Sequence, residues 1–384
     1  MREMKESTQK ILKVLWLIIF SIGVIAMIFK FATGERLVGY GSYVPWGLWV
    51  ALYFHFVGIA GGVFVVGVGG YIMNLPGFRE NIRNIMVISA ASLVAGMLSI
   101  WLDLGQAFRF QNVFLSPNFG SMMTFNAWSY AVFLATMAVV FYLSLKKTNV
   151  TDYNDKSGWL IPFMLFGLLL AIAFPSQSGS FFGVVDSKPF WNSGLLPVMF
   201  LTSAITSGTA VLLFYFTLIF KNRFLVYESY QYLIKVLIGG ILIYLASEFA
   251  EYSIAYWSPN SHTFEAAKMV IQGSFWWVFW LVHLGGVVVS LYLLLVTRTM
   301  PAYGIASFII AVTFVSARLN VLIPGQSIAQ LKGLQQAFWQ ERLSFVYTAT
   351  PLEYFVACFI ASFAIGLAYF GIKYISKFEI SKSN

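Results

Sequence analysis

The chain has 384 residues, of which 59% are hydrophobic and 10% are charged, and its mean hydropathy is +0.78. This composition is typical of an integral membrane protein and excludes a soluble globular enzyme. The net charge of +9 does not indicate a nucleic-acid partner, because basic residues in cytoplasmic connections account for it. The single cysteine, Cys358, leaves no disulfide and no thiolate metal site within the chain.

In chain order, ten apolar runs are long enough to cross a bilayer as helices, and none alternates as a barrel strand does. The sequence therefore predicts an all-α integral membrane protein that forms one membrane domain over residues 1–384. The predicted helices 1 to 10 span residues 11–31, 46–71, 83–102, 121–145, 158–175, 193–220, 232–256, 273–297, 303–323 and 350–374.

The distribution of basic residues predicts the orientation of these helices. Of the 24 Lys and Arg residues, 15 lie with the connections on the side of the two termini, seven lie on the opposite side, and Lys235 and Arg318 belong to predicted helices. By the positive-inside rule, both termini are therefore cytoplasmic. The longest connections then lie on the outer face, at residues 103–120, 176–192, 257–272 and 324–349.

These outer connections are rich in Pro, Gly, Asn, Trp and Phe, whereas the cytoplasmic connections are short and basic. Such a face suits a docking surface for a second protein, and the alternative is a set of ordinary loops without a partner. No connection is long enough to fold alone into a catalytic domain. Any redox function would therefore require electrons to be exchanged with another subunit.

A weak internal repeat predicts two four-helix bundles. Predicted helices 2 and 6 share a small-residue cluster, with Gly62 and Gly208 at matching places, and helices 3 and 7 both end in acidic residues. Both copies cross the membrane in the same sense, as parallel repeats do. The predicted bundles comprise helices 2–5 over residues 46–175 and helices 6–9 over residues 193–323, with helices 1 and 10 flanking them at 11–31 and 350–374.

The second predicted helix carries unusual features for a lipid environment. Pro45 suits a first helical turn, and Trp46 stands where an interfacial aromatic belt is expected. His55 follows about one-third of the way along the run. Gly58, Gly61 and the glycines after them leave a nearly side-chain-free surface for another helix or a flat ligand.

Ionisable residues inside a membrane are costly, and they are functional candidates by default. One interpretation is structural, with salt bridges such as Arg318 to Glu248 or Glu353. The other is a quinone site, because a quinone needs an apolar cleft, hydrogen-bond donors for its carbonyl oxygens and titratable groups that move protons. The candidates near the outer boundary are Asp103, Arg109, Glu248, Glu251, Arg318 and Glu353, with His55 and His283 deeper.

Three other functions compete with the quinone site. A b-type haem needs two axial histidines, and only His55 and His283 are deep, since His262 lies in a predicted outer connection; a single-haem anchor is the most that the chain allows. A secondary transporter shares the internal repeat and polar residues, but no predicted helix is broken by Pro or Gly near its middle. A purely structural anchor is disfavoured by the cost of the buried ionisable groups.

Three segments carry a resemblance to a known family: YVPWGLWVALYFHFVGIAGG, then WLDLGQAFRFQNVFLSPNFGSMMTFNAW, then FFGVVDSKPFWNSGLLPVMFLTSAITSGTA. They resemble the NrfD/PsrC family of polysulfide-reductase membrane subunits over roughly residues 40–215, and the helix count is similar to its ten-helix members. Asp103 matches the family acid at the end of the third helix, Arg109 matches its Arg-Phe pair, and Pro45 with Trp46 match the start of the second helix. The chain departs from the family pattern at Gln106 and Asn192.

The resemblance implies a haem-free quinone or quinol site near the outer face of a prokaryotic cytoplasmic membrane, with menaquinone as the expected quinone and no metal in this chain. It also implies an iron–sulfur partner of the four-cluster ferredoxin type, often with a molybdopterin catalytic subunit beyond it. On this hypothesis Asp103 and His55 hydrogen-bond to the quinone and exchange protons with it. Pro45, Trp46, Gly58 and Gly61 would line the site, Arg109, Glu248, Glu251 and Arg318 would tune it, and His283 and Glu353 would relay protons.

We therefore predict that Asp103→Asn abolishes quinol-coupled turnover while the complex still assembles, because the amide cannot accept a proton. Turnover of the purified complex with a quinol analogue measures this. Normal turnover in the variant would contradict the assignment of Asp103.

Overall fold

A computed structural model describes residues 6–146, 158–219, 227–331, 333–334, 340 and 342–383. All regular secondary structure in these residues is helical. The α-helices are α1 (Glu6–Thr33), α2 (Leu48–Ile72), α3 (Ile82–Asp103), α4 (Asn112–Leu115), α5 (Met122–Lys146), α6 (Leu160–Gly183), α7 (Leu196–Phe214), α8 (Tyr227–Tyr256), α9 (Ser261–Ile271), α10 (Gly285–Tyr292), α11 (Met300–Thr313), α12 (Val315–Ser327) and α13 (Pro351–Ser383). Turns of 3₁₀ helix lie at Gly34–Leu37 and Ala107–Arg109, and π-helical turns at Tyr215–Ile219, Val278–Leu284 and Leu293–Thr297.

Ten helical segments in the described residues are long and apolar enough to cross a membrane. Four of them are composite. Lys10–Leu37 joins α1 to the 3₁₀ turn after it, and Leu196–Thr217 joins α7 to part of the π-helical turn after it. Val278–Thr297 joins α10 to the π-helical turns on either side, and Met300–Ser327 joins α11 to α12. The prediction of an all-α membrane protein with ten transmembrane helices is therefore confirmed. The hydropathy pattern of the sequence was sufficient for this prediction, because each apolar run is close to the length that a helix needs to cross a bilayer.

The described parts of the long connections gather at one end of the helices, which we call the long-loop face (residues 34–47, 104–121, 184–195, 257–277, 328–331, 333–334, 340 and 342–350). Hydrogen bonds join them across large sequence distances. Trp46 donates its backbone N–H to Gln326 Oε1 at 3.1 Å, and Arg342 Nη2 lies 2.9 Å from Glu35 Oε2. Gln330 also donates to the Ser187 carbonyl, so these contacts join the described parts of the first, third and fifth of these connections.

Two helix boundaries differ from the sequence prediction for identifiable reasons. Predicted helix 5 ended at Pro175, yet α6 continues to Gly183 with the proline inside it. Proline at this position removes the donor for the Ala171 carbonyl, and that carbonyl lies where Gly61 of α2 approaches closely. The predicted connection 257–272 also contains a regular helix, α9, capped by the Asn260 side chain.

Helix α2 is the centre of the structure, and it packs against α3, α6, α7 and α12. Gly62 and Gly208, paired in the predicted repeat, lie in contact where α2 crosses α7. A Cβ atom on Gly208 would overlap the backbone of Gly62 and Val63. This close approach is the small-residue packing that membrane helices use when hydrophobic burial supplies no attraction between them.

The first and last transmembrane helices pack together and lie on the outside of the bundle. Trp16 Nε1 donates to the Ser362 carbonyl at 2.8 Å, and Gly23 lets α1 approach Phe359 of α13. Helix α13 in turn packs against α3. These contacts agree with a flanking position for both helices, and the division of the remaining helices into two bundles stays a prediction.

We predict that Gly208→Ala destabilises the folded protein by about 1–3 kcal/mol, since the added methyl group overpacks the α2–α7 crossing. The matched control is Gly239→Ala in α8, where a Cβ meets nothing within 4 Å. That variant should be neutral or slightly stabilising, because alanine favours the helix. Thermal unfolding of the detergent-solubilised protein measures both, and equal melting temperatures for the two variants would contradict the packing argument.

Candidate functional site

Two clusters of fully or partly buried ionisable residues share no hydrogen bond or ion pair with each other in the described part of the chain. We call the first the Glu248 cluster (Tyr244, Glu248, His283 and Ser316) and the second the Asp103 cluster (Lys30, Glu35, Tyr40 and Asp103). The sequence predicted one site that combined both. Each group has its own chemistry.

The Glu248 cluster is a continuous chain of hydrogen bonds between three helical segments. Tyr244 and Glu248 are one turn apart on α8, and the tyrosine hydroxyl donates to Glu248 Oε1 at 3.2 Å. Glu248 Oε2 lies 3.1 Å from His283 Nε2. His283 Nδ1 lies 3.1 Å from Ser316 Oγ, and the serine hydroxyl donates to the Thr313 carbonyl.

This series of hydrogen bonds determines how protons are shared within the Glu248 cluster. Because the Ser316 hydroxyl hydrogen points to Thr313, the serine oxygen accepts from the Nδ1–H of His283. The other ring nitrogen and Glu248 then hold one proton between them, either as acid with imidazole or as carboxylate with imidazolium. All of these side chains are buried. In either form the pair is net neutral, which suits its buried position.

Irregular backbone positions His283 and Ser316. The histidine lies in the π-helical turn Val278–Leu284, and such turns frequently mark functional sites because they change the direction of side chains. Ser316 lies just after the interruption at Phe314 that separates α11 from α12. Neither proline nor glycine stands at this interruption, so the sequence did not predict it. The Phe314 ring packs against both the His283 and the Tyr244 rings, at 5.3 Å between centroids.

A groove of about 460 Å³ opens beside the Glu248 cluster. It runs between α8, the end of α9 and the π-helical turn, and its outer wall lies on the outside of the helix bundle, where Phe249 and Trp257 are 75% and 85% exposed. Among the described residues, Glu248 is the carboxylate that lines it. The lining residues are Leu245, Glu248, Phe249, Tyr252, Ser253, Tyr256, Trp257, Ile271, Phe279, Trp280 and Leu284. An apolar groove with a few polar groups is the usual form of a small-molecule site.

The Asp103 cluster lies at the long-loop end of α3, next to α1 and α13. Asp103 interacts electrostatically with Glu35, Lys30 and Glu353. Its Oδ1 atom and the Tyr40 hydroxyl are both buried without a hydrogen-bond partner among the described residues. Burial, followed by the charge of Asp103, raises the pKa of the Tyr40 hydroxyl. The phenol therefore stays protonated and can only donate or accept hydrogen bonds.

The Glu353 carboxylate is held in place by hydrogen bonds from three donors. Its carboxylate accepts from Gly39 N at 2.9 Å, from the Tyr347 hydroxyl at 2.7 Å and from Thr350 N at 3.2 Å. Burial and the adjacent Glu353 carboxylate raise the pKa of Tyr347, which keeps its hydroxyl a donor. That oxygen also accepts from Leu48 N at the start of α2. Glu353 thus fastens α13 to the start of α2, and its predicted relay role stays a prediction.

Arg318 and His55 lie on the inner side of α2 and do not reach the groove. The predicted ion pairs of Arg318 with Glu248 or Glu353 are wrong: no such pair within 4.0 Å occurs among the described residues. Arg318 donates from Nη2 to the Phe200 carbonyl at 3.1 Å, and its guanidinium carbon lies 3.8 Å from the centre of the Phe200 ring. His55 Nε2 lies 2.8 Å from the Ala311 carbonyl.

The other predicted site residues lie outside both the Glu248 cluster and the Asp103 cluster. Glu251 accepts from Ser193 Oγ at 2.5 Å and so ties α8 to the connection before α7. Arg109 and Pro45 are exposed on the long-loop face. Trp46 stacks on Trp191, with 5.8 Å between ring centroids. Finally, Gly58 allows close packing against Ala204 and Arg318, and Gly61 against Ala171 and Phe174.

Sequence reasoning found Glu248 and His283 but missed their partners. Tyr244 carried a usable signal, because it stands one turn before Glu248 on the same helix face. Ser316, Tyr252 and the aromatic lining of the groove carried none, since their roles depend on which helices are neighbours. His283 was predicted as a possible interior relay; it contacts Glu248 at 3.1 Å, and the relay role stays a prediction.

Comparisons with known proteins agree with the fold. The chain matches the sequence model described as polysulphide reductase, NrfD, over residues 37–330. It is 25% identical to a selenate reductase subunit of Mesobacillus selenatarsenatis, over 87% of this chain and 86% of the relative. It is 27% identical to the Hdr-like menaquinol oxidoreductase integral membrane subunit of Archaeoglobus fulgidus, over 76% and 73%. It is 25% identical to the menaquinone reductase integral membrane subunit of Nitratidesulfovibrio vulgaris, over 62% and 61%.

Proposed function

Because this chain belongs to the polysulphide reductase NrfD family, whose relatives are membrane subunits of respiratory oxidoreductases, we propose that it exchanges electrons between a quinone and a docked iron–sulfur subunit. The quinone is menaquinone or another membrane quinone. Two of the relatives above carry menaquinol or menaquinone in their names, which supports this choice of substrate.

The groove beside Glu248 is the observation that carries the proposal. Its walls are apolar and aromatic, it faces the bilayer where a lipid-soluble quinone resides, and the Glu248 carboxylate lines it. That carboxylate is hydrogen-bonded to a histidine behind it at 3.1 Å. A quinone ring bound in the groove would therefore meet a group that can exchange a proton with its oxygen.

The reaction pairs electrons with protons. Oxidation of one quinol to quinone releases two electrons and two protons. The electrons leave to the partner subunit, and a quinol hydroxyl gives its proton to the Glu248–His283 pair, which passes it on before the second proton is released. Reduction of quinone follows the same steps in reverse. The role of this chain is to bind the ring, exclude water and move the protons.

The long-loop face is the proposed docking surface for the electron-transfer partner. Large apolar side chains are exposed there, including Phe108, Leu115 and Phe119, and aromatic side chains are enriched at protein interfaces. We assign the partner to the four-cluster ferredoxin class, with a molybdopterin or other catalytic subunit beyond it. By the positive-inside rule this face is extracytoplasmic, in a prokaryotic cytoplasmic membrane with both termini in the cytoplasm.

A single b-type haem is the main competing proposal, and the contacts of the two deep histidines disfavour it. Both ring nitrogens of His283 are occupied by Glu248 and Ser316, and His55 Nε2 lies at the Ala311 carbonyl. A reduced-minus-oxidised visible spectrum of the purified complex distinguishes the two. A b-type band assigned to this chain would overturn the haem-free proposal.

A secondary transporter is the second alternative, favoured by the interruption between α11 and α12, since broken helices form many transporter sites. Quinol-dependent reduction of the partner's iron–sulfur clusters separates the two functions. A transporter subunit would leave the clusters oxidised when quinol is added.

We predict that Glu248→Gln lowers quinol-coupled turnover by about 10²-fold or more, which is the usual loss when a positioned general base is removed. Assembly of the complex should be unaffected, because glutamine keeps the shape of the side chain. The matched control is Glu80→Gln, which changes an exposed carboxylate in the connection between α2 and α3, outside the long-loop face. Its turnover should equal that of the wild type.

Comparison with Asp103→Asn locates the site. Loss of activity in Glu248→Gln alone supports the groove, and loss in Asp103→Asn alone moves the quinone site to the Asp103 cluster. If both variants turn over normally, the proposal that this chain handles quinol protons fails.

A further inference from the structure

The outer end of the groove carries a second polar group, the Tyr256 hydroxyl. Tyr256 is the last residue of α8 and lines the groove, as Glu248 does further in. Its oxygen accepts a long hydrogen bond, at 3.5 Å, from Nε2 of the exposed Gln272. Among the described residues, none accepts the hydroxyl hydrogen of Tyr256. That hydrogen is therefore available to a molecule in the groove.

The wall around Tyr256 is held by contacts between helices. The Tyr256 ring packs against Phe264 of α9, with 5.2 Å between ring centroids. Beside it, Trp280 Nε1 donates to the Ile271 carbonyl at 2.9 Å, and both of these residues line the groove. Because Tyr256 already belongs to the wall, no side chain has to move before it meets a molecule in the groove.

The spacing of Glu248 and Tyr256 fits a quinone ring. The two residues are eight positions apart on α8, which is about 12 Å along the helix axis. The two oxygens of a para-quinone are about 5 Å apart, and a hydrogen bond of about 2.7 Å at each end gives a span of about 11 Å. A ring between Glu248 and Tyr256 therefore has room for a hydrogen bond at each oxygen, with Tyr252 and Ser253 beside it in the wall.

We infer that Tyr256 binds the quinone oxygen opposite to the one that meets Glu248, and that it is the exit for the proton on that oxygen. This inference rests on the proposed quinone function. The tyrosine hydroxyl donates to a quinone carbonyl and accepts from a quinol hydroxyl, so it binds both redox states.

Each end of the ring then releases one proton. The inner quinol hydroxyl gives its proton to the Glu248–His283 pair. At the outer end, the Tyr256 oxygen takes the other proton while its own hydrogen passes to water at the long-loop face, so the tyrosine stays neutral. Tyr256 is half-buried and ends the membrane-spanning segment, which places it at that boundary. With two electrons leaving to the iron–sulfur partner, one quinol yields one quinone and two protons.

The test uses the purified complex and a short-chain naphthoquinone as the probe. Tyr256→Phe removes the hydroxyl and keeps the ring that packs against Phe264. We expect the Kd for naphthoquinone, measured by equilibrium dialysis, to rise about three- to tenfold, the effect of one lost hydrogen bond. The kcat for naphthoquinol oxidation should fall at least about tenfold, because the outer proton loses its exit.

The melting temperature of Tyr256→Phe should equal that of the wild type, since the hydroxyl makes only the long contact with Gln272. Tyr43→Phe is the matched control. Tyr43 is also a half-buried tyrosine of the long-loop face, its ring stacks on Phe345 at 4.4 Å between centroids, and it does not line the groove. Its Kd and kcat should equal those of the wild type.

The outcomes separate this inference from the proposed function. An unchanged Kd or an unchanged kcat in Tyr256→Phe would overturn the inference. Weaker binding in Asp103→Asn, with wild-type binding in Tyr256→Phe, would also overturn it and would place the ring at the Asp103 cluster. A wild-type complex that binds no naphthoquinone and takes no electrons from naphthoquinol would instead reject the proposed function itself.

Discussion

The structure depends on one constraint, which is that a polar group inside a membrane must find its partner within the protein. Glu353 shows how completely the chain meets this requirement: its carboxylate takes three donors and joins the start of α2 to α13. Ser99 and Ser89 likewise donate to carbonyls of α2, at 2.7 Å each. Against this background, the few buried polar atoms without partners stand out. The Asp103 carboxylate and the Asn320 amide are among them, and unsatisfied groups of this kind persist when another requirement opposes stability.

At two prolines, packing overrides the rule that proline ends a helix. Pro175 and Pro324 each lie inside a helix and each leaves a carbonyl without its usual donor. The α6 helix continues past Pro175 because its neighbours hold it, with Gly61 of α2 admitting the freed Ala171 carbonyl. At Pro324 the freed carbonyl accepts from Tyr252. The hydrogen bond from Tyr252 connects α12 to the wall of the groove, so the carbonyl that Pro324 leaves free becomes part of the site.

The sequence predicted the ten transmembrane helices because hydropathy over a fixed length is a direct consequence of bilayer thickness. It could not predict the interruption at Phe314 or the π-helical turn at His283, since no residue type marks either one. Glu248 and His283 were identified as candidates from the cost of burying them, but their contact depends on tertiary packing. For the same reason the predicted partners of Arg318 were wrong.

The Glu248 cluster is separate from the Asp103 cluster, and this separation affects how quinol oxidation would proceed in such a fold. The Glu248–His283 pair shares one proton, so it can accept one more, whereas each quinol releases two. In the proposed reaction the pair must therefore pass its proton on before it takes another, and Ser316 and Tyr244 are the groups bonded to it. Tyr244 and Ser316 are buried hydroxyls, which conduct protons by exchanging hydrogen bonds rather than by holding charge. Under the proposed function, the pair would carry an extra positive charge only until its proton moves on, which limits the cost of that charge inside the membrane. The groove would then bind a neutral ring and pass on its protons one at a time, while the electrons would leave through the long-loop face.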